Sequence, residues 1–253
     1  MDEATLEQRQ VMDYFNETTE FYDRSQLDDE YKFLSFFSFE EEVIPKYLGH
    51  IDSCMDIGSG AGVFLRYVSG RYGVHNVVGI DISEGMLAQS LLDKPFQADL
   101  AQGSVLDLPV REGRFDLVFM EEVLHHLVSK NRADSKKLAR RAIGNIKRMI
   151  RPGGAFILRE EYYESWFAPT LSSTLIMLLL SLFNALRMRL PHKEAHMGLK
   201  VSFYTRDEIR AMVEEAGGEI LEARDLKWTK TLGERAALVK NMGKMYYLIK
   251  FDR

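Results

Sequence analysis

Cysteine is nearly absent from the sequence, which has one cysteine, Cys54, in 253 residues. A lone cysteine forms no internal disulfide, so a reducing compartment is expected and we predict a cytoplasmic protein. Residues 1–10 are charged and lack an apolar run, which argues against a secretory signal there. The net charge of −5 provides little positive field for a phosphate backbone, so no nucleic-acid partner is expected.

Long apolar runs are also scarce, with one exception near residue 175. Residues 165–186 carry no charged side chain, and their second half is almost wholly apolar. The apolar part is shorter than the roughly 20 residues that a membrane span needs. A helix that is apolar all round must be covered by a core, a partner or lipid. The helix at 171–186 is therefore expected to form a lid, a homodimer contact or a peripheral membrane contact.

Glycines are concentrated at one turn. Gly58, Gly60 and Gly62 follow a short apolar strand at 53–57 and precede a second apolar stretch. Glycines at alternate positions allow positive φ and let a ligand approach the backbone closely. The following helix would direct its N-terminal N–H groups into the same space. Asp56, at the end of the strand, can accept hydrogen bonds from an amine.

A second acid follows at the spacing of one helix and one return strand. Residues 77–80 form a β-branched apolar run that ends in Asp81, 25 residues after Asp56. An acid at the tip of the second strand of a βαβ unit binds the hydroxyls of a nucleoside ribose. NAD and S-adenosylmethionine (SAM) both satisfy this pattern. The dinucleotide fingerprint requires Gly-x-Gly-x-x-Gly, whereas this chain has Asp-x-Gly-x-Gly-x-Gly.

This spacing resembles motif I of the class I SAM-dependent methyltransferases. Later segments resemble the family in the same order: the turn after the ribose acid, the adenine-binding segment, motif IV, the turn before the fifth strand and the approach to the sixth, at residues 82–86, 103–109, 115–126, 151–154 and 203–205. The resemblance implies SAM as cofactor and an α/β, Rossmann-like fold. That fold has a seven-stranded, mostly parallel sheet with an antiparallel last strand and helices on both faces.

The resemblance also divides the chain. Residues 1–50 are expected to form an N-terminal helical cap, and residues 51–253 a SAM-binding methyltransferase domain. The fifth strand is predicted over residues 155–158, with an apolar lid insertion at about 162–202. In such enzymes a lid at this place builds the acceptor pocket, and an apolar lid favours a lipophilic acceptor. The alternative is that the apolar helix packs on the N-terminal aromatic residues or on a dimer mate.

The family motifs imply a set of cofactor-binding residues: Tyr22, Asp56, Gly58, Ser59, Gly60, Gly62, Asp81, Ile82, Met86, Ser104, Val105, Glu121 and His126. One position departs from the family, which often has aspartate where this chain has Ser104. A hydroxyl there can still contact the adenine amino group.

Candidate catalytic residues follow the fourth strand. Methyl transfer is an in-line displacement, so the enzyme aligns the nucleophile and removes its proton when needed. His125, Glu122 and Glu121 are the predicted catalytic residues, although His126 and the two glutamates also suit structural roles. The Glu122-x-x-His125-His126 run resembles a segment of the ubiquinone-pathway O-methyltransferases that can hold a divalent metal. No metal site is predicted.

The predicted substrate-binding residues are Tyr14, Glu160, Tyr162 and Tyr163. The chain is thus expected to be a methyltransferase that acts at O, C or N of a small, lipophilic molecule, similar to the ubiquinone- and menaquinone-pathway enzymes. One alternative is a noncatalytic SAM-binding regulatory module. A second is a tRNA or protein methyltransferase that docks through the basic segment 132–151, which is more often a solvated face.

Overall fold

The computed structural model describes residues 3–19, 36–91, 97–186, 199–230 and 237–251, without the side chains of residues 3–6, 91 and 183–185. The prediction for Tyr22 lies outside these ranges.

Seven strands form one mixed sheet in the order β3-β2-β1-β4-β5-β7-β6. Their bounds are β1 Ser53–Ile57, β2 Asn76–Asp81, β3 Asp99–Gln102, β4 Phe115–Glu121, β5 Ile150–Ser165, β6 Gly218–Lys227 and β7 Val239–Phe251. Only the two pairs that include β7 are antiparallel. The predicted mostly parallel sheet with an antiparallel last strand is confirmed.

The described helices cover both faces of this sheet. Their bounds are α1 Glu3–Glu17, α2 Ser38–Tyr47, α3 Val63–Tyr72, α4 Glu84–Leu91, α5 Arg132–Met149, α6 Leu171–Ala185 and α7 Arg206–Glu215. One core cluster joins α5 and α7 to one face of the central strands, and another joins α2 and α3 to the opposite face. Strands covered on both sides lose the polar alternation of a half-exposed sheet, and all five residues of β1 are buried.

The order of the strands determines where a ligand can bind. β1 lies between β2 and β4, so the chain direction across the sheet reverses beside β1. In open α/β sheets, ligands bind beyond the carboxyl ends of the strands at this reversal. The ends of β1, β2 and β4 carry Asp56, Asp81 and Glu121, which therefore approach the same space.

β5 extends well past its predicted end. The sequence predicted a strand over residues 155–158, but β5 continues to Ser165 and pairs with β7 along most of this length. β7 is also long and runs from Val239 to Phe251. Because β7 supplies a long partner, Tyr162 and Tyr163 lie within the sheet instead of in a loop after it.

The apolar helix α6 packs beside the extended end of β5. Its inward residues Ile176, Met177 and Leu180 are covered, and two of them join a cluster built on Tyr163 and Phe203. Its opposite side is exposed. Within the described ranges, no helix is both long enough and apolar enough to cross a membrane.

The basic helix α5 is held to α7 by ion pairs. Arg132 and Lys136 both contact the carboxylate of Glu208, and Arg140 donates to Glu215 over 3.0 Å. Glu208 also completes the capping box of α7 with Thr205. These acids neutralise part of the positive charge that the sequence concentrates on α5.

A buried ion pair joins α2 to β5. Arg159 is fully buried and donates Nε–H to Oε1 of Glu40, also fully buried, over 2.9 Å. Its Nη2 donates to the carbonyl of Phe36 over 3.0 Å, and the guanidinium lies 4.7 Å from the Phe36 ring centroid. Neither charge has access to water, so each depends on the other.

We expect Glu40→Ala to lower the free energy of unfolding by about 3–5 kcal/mol, because it leaves the buried Arg159 with Glu121 in place of two carboxylates. Glu42→Ala, on the same helix, removes an exposed pair with Arg224 and should cost at most about 1 kcal/mol. Urea unfolding of both variants measures the difference. Equal losses would show that the buried pair contributes no more to stability than the exposed pair.

Candidate active site

A cavity of about 370 Å³ lies beyond the carboxyl ends of β1, β2 and β4. The residues that line it come from the glycine turn, the ends of β2 and β4, the segment after β3, α1 and β7. They include Gln8, Val11, Phe15, Phe36, Phe37, Asp56, Gly58, Ser59, Gly60, Asp81, Ile82, Met86, Ser104, Val105, Glu121, Glu122, His126 and Lys244.

The glycine turn has the backbone conformation that its sequence predicts. Gly58, Gly60 and Gly62 have φ values of 73°, 50° and 69°, which strain other residues. A Cβ on Gly58 would lie 2.4 Å from Cγ2 of Val123, so glycine is required there by contact as well. A Cβ on Gly60 would meet no atom within 4 Å, because this residue faces the cavity. The turn therefore presents backbone atoms without side chains to the cavity, and we call residues 58–62 the glycine floor.

Asp81 connects the end of β2 to this floor. Its Oδ2 accepts a hydrogen bond from the amide of Gly60 and its Oδ1 from the amide of Ser83, both over 2.8 Å. Burial raises the pKa of Asp81, while these backbone hydrogen bonds oppose the shift. Each carboxylate oxygen retains a second acceptor site, which a ribose hydroxyl can use.

Asp56 is a buried carboxylate with an unused acceptor. It is 3% exposed, and its Oδ1 has no hydrogen-bond partner among the described residues. Burial raises the pKa of Asp56 well above the usual range, and the negative charges of Glu121 and Asp81 raise it further. A cationic amine would supply both the missing donor and the missing charge. The site thus fits the ammonium group of SAM.

The segment after β3 closes the opposite end of the cavity. Oγ of Ser104 accepts a hydrogen bond from the amide of Leu106 over 3.2 Å, so its hydroxyl proton can be donated. Ile82, Met86 and Val105 contribute apolar surface beside it. A polar edge beside an apolar wall suits an adenine ring.

α1 contributes Phe15 to the cavity wall and is held to the start of α4 by Asn16, and neither residue was among the predicted site residues. Oδ1 of Asn16 accepts hydrogen bonds from Oγ of Ser83 over 2.7 Å and from the amide of Gly85 over 3.0 Å. Phe15 lines the cavity and packs edge-on against His126, with ring centroids 5.2 Å apart. A polar residue near the end of a helix carries no sequence signal for this contact.

Glu121 and Glu122 both line the cavity but have different surroundings. Glu121 contacts Nζ of Lys244 at 2.7 Å and Nη1 of Arg159 at 3.4 Å. Burial favours the neutral form of Glu121, but the two cations outweigh it and lower the pKa. Glu121 therefore remains ionised as a counter-ion.

Glu122 has a backbone conformation that is uncommon outside glycine, with φ of 55°. Its amide donates to the carbonyl of Arg159 over 2.9 Å, and its carboxylate pairs with Lys244. Burial raises the pKa of Glu122; Lys244 opposes the shift and Glu121 adds to it. A carboxylate of raised pKa on a strained backbone in a cavity wall suits proton transfer.

His125 and Glu160 pair with each other outside the cavity. Nδ1 of His125 lies 2.6 Å from Oε1 of Glu160, and the amide of Leu124 donates to Oε2 over 2.8 Å. Both are buried and neither lines the cavity, so the predicted roles of His125 as catalytic base and Glu160 as acceptor residue lack geometric support. His126 does line it, and burial lowers its pKa well below the usual range, which keeps the ring neutral.

The remaining predicted substrate residues also lie away from the cavity. Tyr162 is fully buried and donates to Oδ1 of Asp225 over 2.8 Å. Tyr163 packs against Phe203, with ring centroids 4.3 Å apart, and Tyr14 belongs to a cluster of α1 with Leu199. The extension of β5 explains the first two, because both side chains are built into the sheet and its covering layers.

The described part of the chain contains no cluster of metal-ligating side chains. In these ranges no group of three or more His, Cys, Asp or Glu side chains could hold a metal ion.

Comparison with known proteins identifies a family for the central segment. Residues 55–158 match the methyltransferase domain family. An uncharacterised methyltransferase of Synechocystis is 35% identical over 104 residues, which cover 41% of this chain and 44% of that protein. The match therefore spans less than half of the relative's length.

Solved structures share the fold across most of the chain. Geranyl diphosphate C-methyltransferase of Streptomyces coelicolor, solved with Mg²⁺, geranyl diphosphate and S-adenosyl-L-homocysteine, has a TM-score of 0.59 at 15% identity, covering 91% of this chain and 88% of its own. A SAM-dependent methyltransferase of Methanosarcina mazei has 0.58 at 20% identity, covering 84% and 98%. A methyltransferase of Haloferax volcanii, in complex with the Trm112 activator, has 0.57 at 15% identity, covering 94% and 98%.

We expect Gly60→Ala to weaken SAM binding about tenfold or more, because the added Cβ projects into the space that the ligand needs. Gly49→Ala is the matched control, since Gly49 has φ of 63° and equally open surroundings but lies outside the cavity. Both variants should lose about 1–2 kcal/mol of stability from backbone strain. Calorimetric titration with SAM measures the affinity of both variants. Equal affinities would exclude the glycine turn as the cofactor site.

Proposed function

We propose that this chain, which carries a class I SAM-dependent methyltransferase domain over residues 55–158, transfers the methyl group of SAM to a small, apolar molecule with an ionisable or acidic group. The observation that supports this most is the continuity of one cavity. The glycine floor, Asp81, Glu122 and Lys244 all line it, so a cofactor and a reacting group can share the space.

The chain's own residues fit the parts of SAM. Asp56 would hold the amino group, Asp81 the ribose, and Ser104 with Met86 the adenine. When bound, SAM supplies an electrophilic methyl group on a positively charged sulfur. The acidic side chains around the floor favour such a cation, and the bare backbone of Gly60 lets it approach closely.

The cavity is also lined by aromatic side chains, to which we assign the acceptor. Phe15, Phe36 and Phe37 line it together with Glu122. The rings would hold an apolar body and exclude water, while Glu122 would take a proton from the reacting oxygen, nitrogen or carbon. The apolar helix α6, expected as the lid, does not line the cavity in the described part of the chain. Support for an apolar acceptor therefore comes from these phenylalanines.

Lys244 completes the acceptor wall and was missed by the sequence analysis. It follows Gly243 in β7 and touches both Glu121 and Glu122. Burial opposes its charge, but the two carboxylates outweigh it and raise its pKa. A permanently charged lysine holds both carboxylates in place, so Glu122 can accept a proton without moving.

Label transfer tests the proposed reaction. With methyl-labelled SAM, purified protein and an extract of the source cells, we expect label in the organic-soluble small-molecule fraction. Label in RNA or protein would contradict the proposal and favour a macromolecular substrate, although the pairing of the α5 cations by Glu208 and Glu215 weighs against RNA. SAM binding without transfer to any fraction would favour a noncatalytic module.

We expect Glu122→Gln to lower the transfer rate by about 10²–10³-fold while SAM affinity stays within about twofold. Because burial raises the pKa of Glu122, the wild-type rate should fall with decreasing pH at values above the usual glutamate range. The variant should lose this acid limb. Glu121→Gln is the contrasting variant, since it removes the counter-ion of Arg159 and Lys244 and should reduce stability. An unchanged pH profile in Glu122→Gln would exclude Glu122 as the base.

A further inference from the structure

Exposed apolar side chains are concentrated on one surface of the described structure. Of its nine exposed large hydrophobic residues, six lie between Trp166 and Leu186. Phe167 is 82% exposed, and Leu178 and Leu182 are 61% and 52% exposed. Leu178, Leu182 and Leu186 are spaced four residues apart and so share one side of the helix. We call this surface the outer face of α6; it comprises Trp166, Phe167, Leu178, Leu179, Leu182 and Leu186.

Two lysines border the aromatic end of this face. The ammonium groups of Lys240 and Lys230 lie 5.5 Å and 6.0 Å from the ring centroid of Trp166. Lys230 also donates to the carbonyl of Lys240 over 2.7 Å, which keeps both lysines at this edge. The apolar surface therefore has a positive border beside an exposed tryptophan and phenylalanine.

We propose that the outer face of α6 docks the protein on an anionic lipid surface. Phe167 and the outer leucines would enter the boundary between headgroups and acyl chains, and Lys230 and Lys240 would lie among the phosphates. Membrane binding of this type combines buried apolar area with attraction between basic residues and anionic lipid. This inference is independent of the acceptor and of the methyl-transfer step.

Charge distinguishes lipid from a second copy of the chain as the occupant. A two-fold contact places the same surface on both subunits. Residues 165–186 contain no charged side chain, so the face offers no carboxylate to the lysines at its border. The same face of a second copy would supply no opposite charge to these lysines, whereas anionic headgroups do.

The two tryptophans allow a direct measurement. Trp228→Phe leaves Trp166 as the single tryptophan and replaces an aromatic residue of the cluster under α6 with another. With vesicles of phosphatidylcholine and phosphatidylglycerol, we expect the emission of Trp166 to shift to the blue and to be quenched by brominated acyl chains. Phosphatidylcholine vesicles alone should give a much smaller change, and added salt should weaken binding.

Matched variants test the apolar and the electrostatic contributions to membrane binding separately. Phe167→Ser combined with Leu182→Ser should lower partitioning into the anionic vesicles at least about tenfold by removing apolar contact. Lys240→Glu should lower it about tenfold. Lys137→Glu, which makes the same charge change at a 72% exposed position on α5, should leave it within about twofold. SAM affinity serves as the check that each variant is folded.

Two results would overturn the inference. In one, Trp166 emission and sedimentation of the protein are unchanged by anionic vesicles. In the other, light scattering shows a dimer that Leu182→Ser disperses, which would make a second copy the occupant of this face.

Discussion

The candidate site depends on a row of alternating charges, in the order Glu40, Arg159, Glu121, Lys244 and Glu122, each in contact with the next. Arg159 is fully buried, so desolvation opposes its charge and two carboxylates must compensate. These residues come from α2, β5, the end of β4 and β7, and their pairing therefore holds α2 and β7 against the end of β4. The positions of Glu121 and Glu122 in the cavity follow from this arrangement.

The same row of charges shifts the pKa values of neighbouring acids in opposite directions. Glu121 lies between two cations, which lower its pKa, whereas Glu122 contacts one cation and its pKa is raised by burial. For Asp56, burial and the negative charges of Glu121 and Asp81 outweigh the opposing charge of Arg159, and its pKa is raised well above the usual range. Three acids at one sheet edge thus suit three tasks: a permanent counter-ion, a proton acceptor and a partner for a cationic ligand.

Local patterns predicted the parts of the site that are local in structure. The glycine turn, Asp81 and the order of the strands follow from residues close together in sequence, and the mixed sheet is confirmed. The pairing of His125 with Glu160 and the contact of Lys244 with Glu121 join residues 35 and 123 positions apart, and no short-range pattern encodes them. The length of β5 was missed for the same reason, because its second half is stabilised by β7.

This extension of β5 also changes the role of α6. The extended strand carries Tyr163 past the cavity. Tyr163 and Phe203 pack against the inner side of α6, so this helix lies outside the site. The uncharged segment 165–186, for which the sequence predicted a lid, is thereby separated from the cavity. Under the proposed function, surface apolarity and acceptor chemistry are independent properties: the first belongs to the outer face of α6, and the second is assigned to the phenylalanines and Glu122 in the cavity.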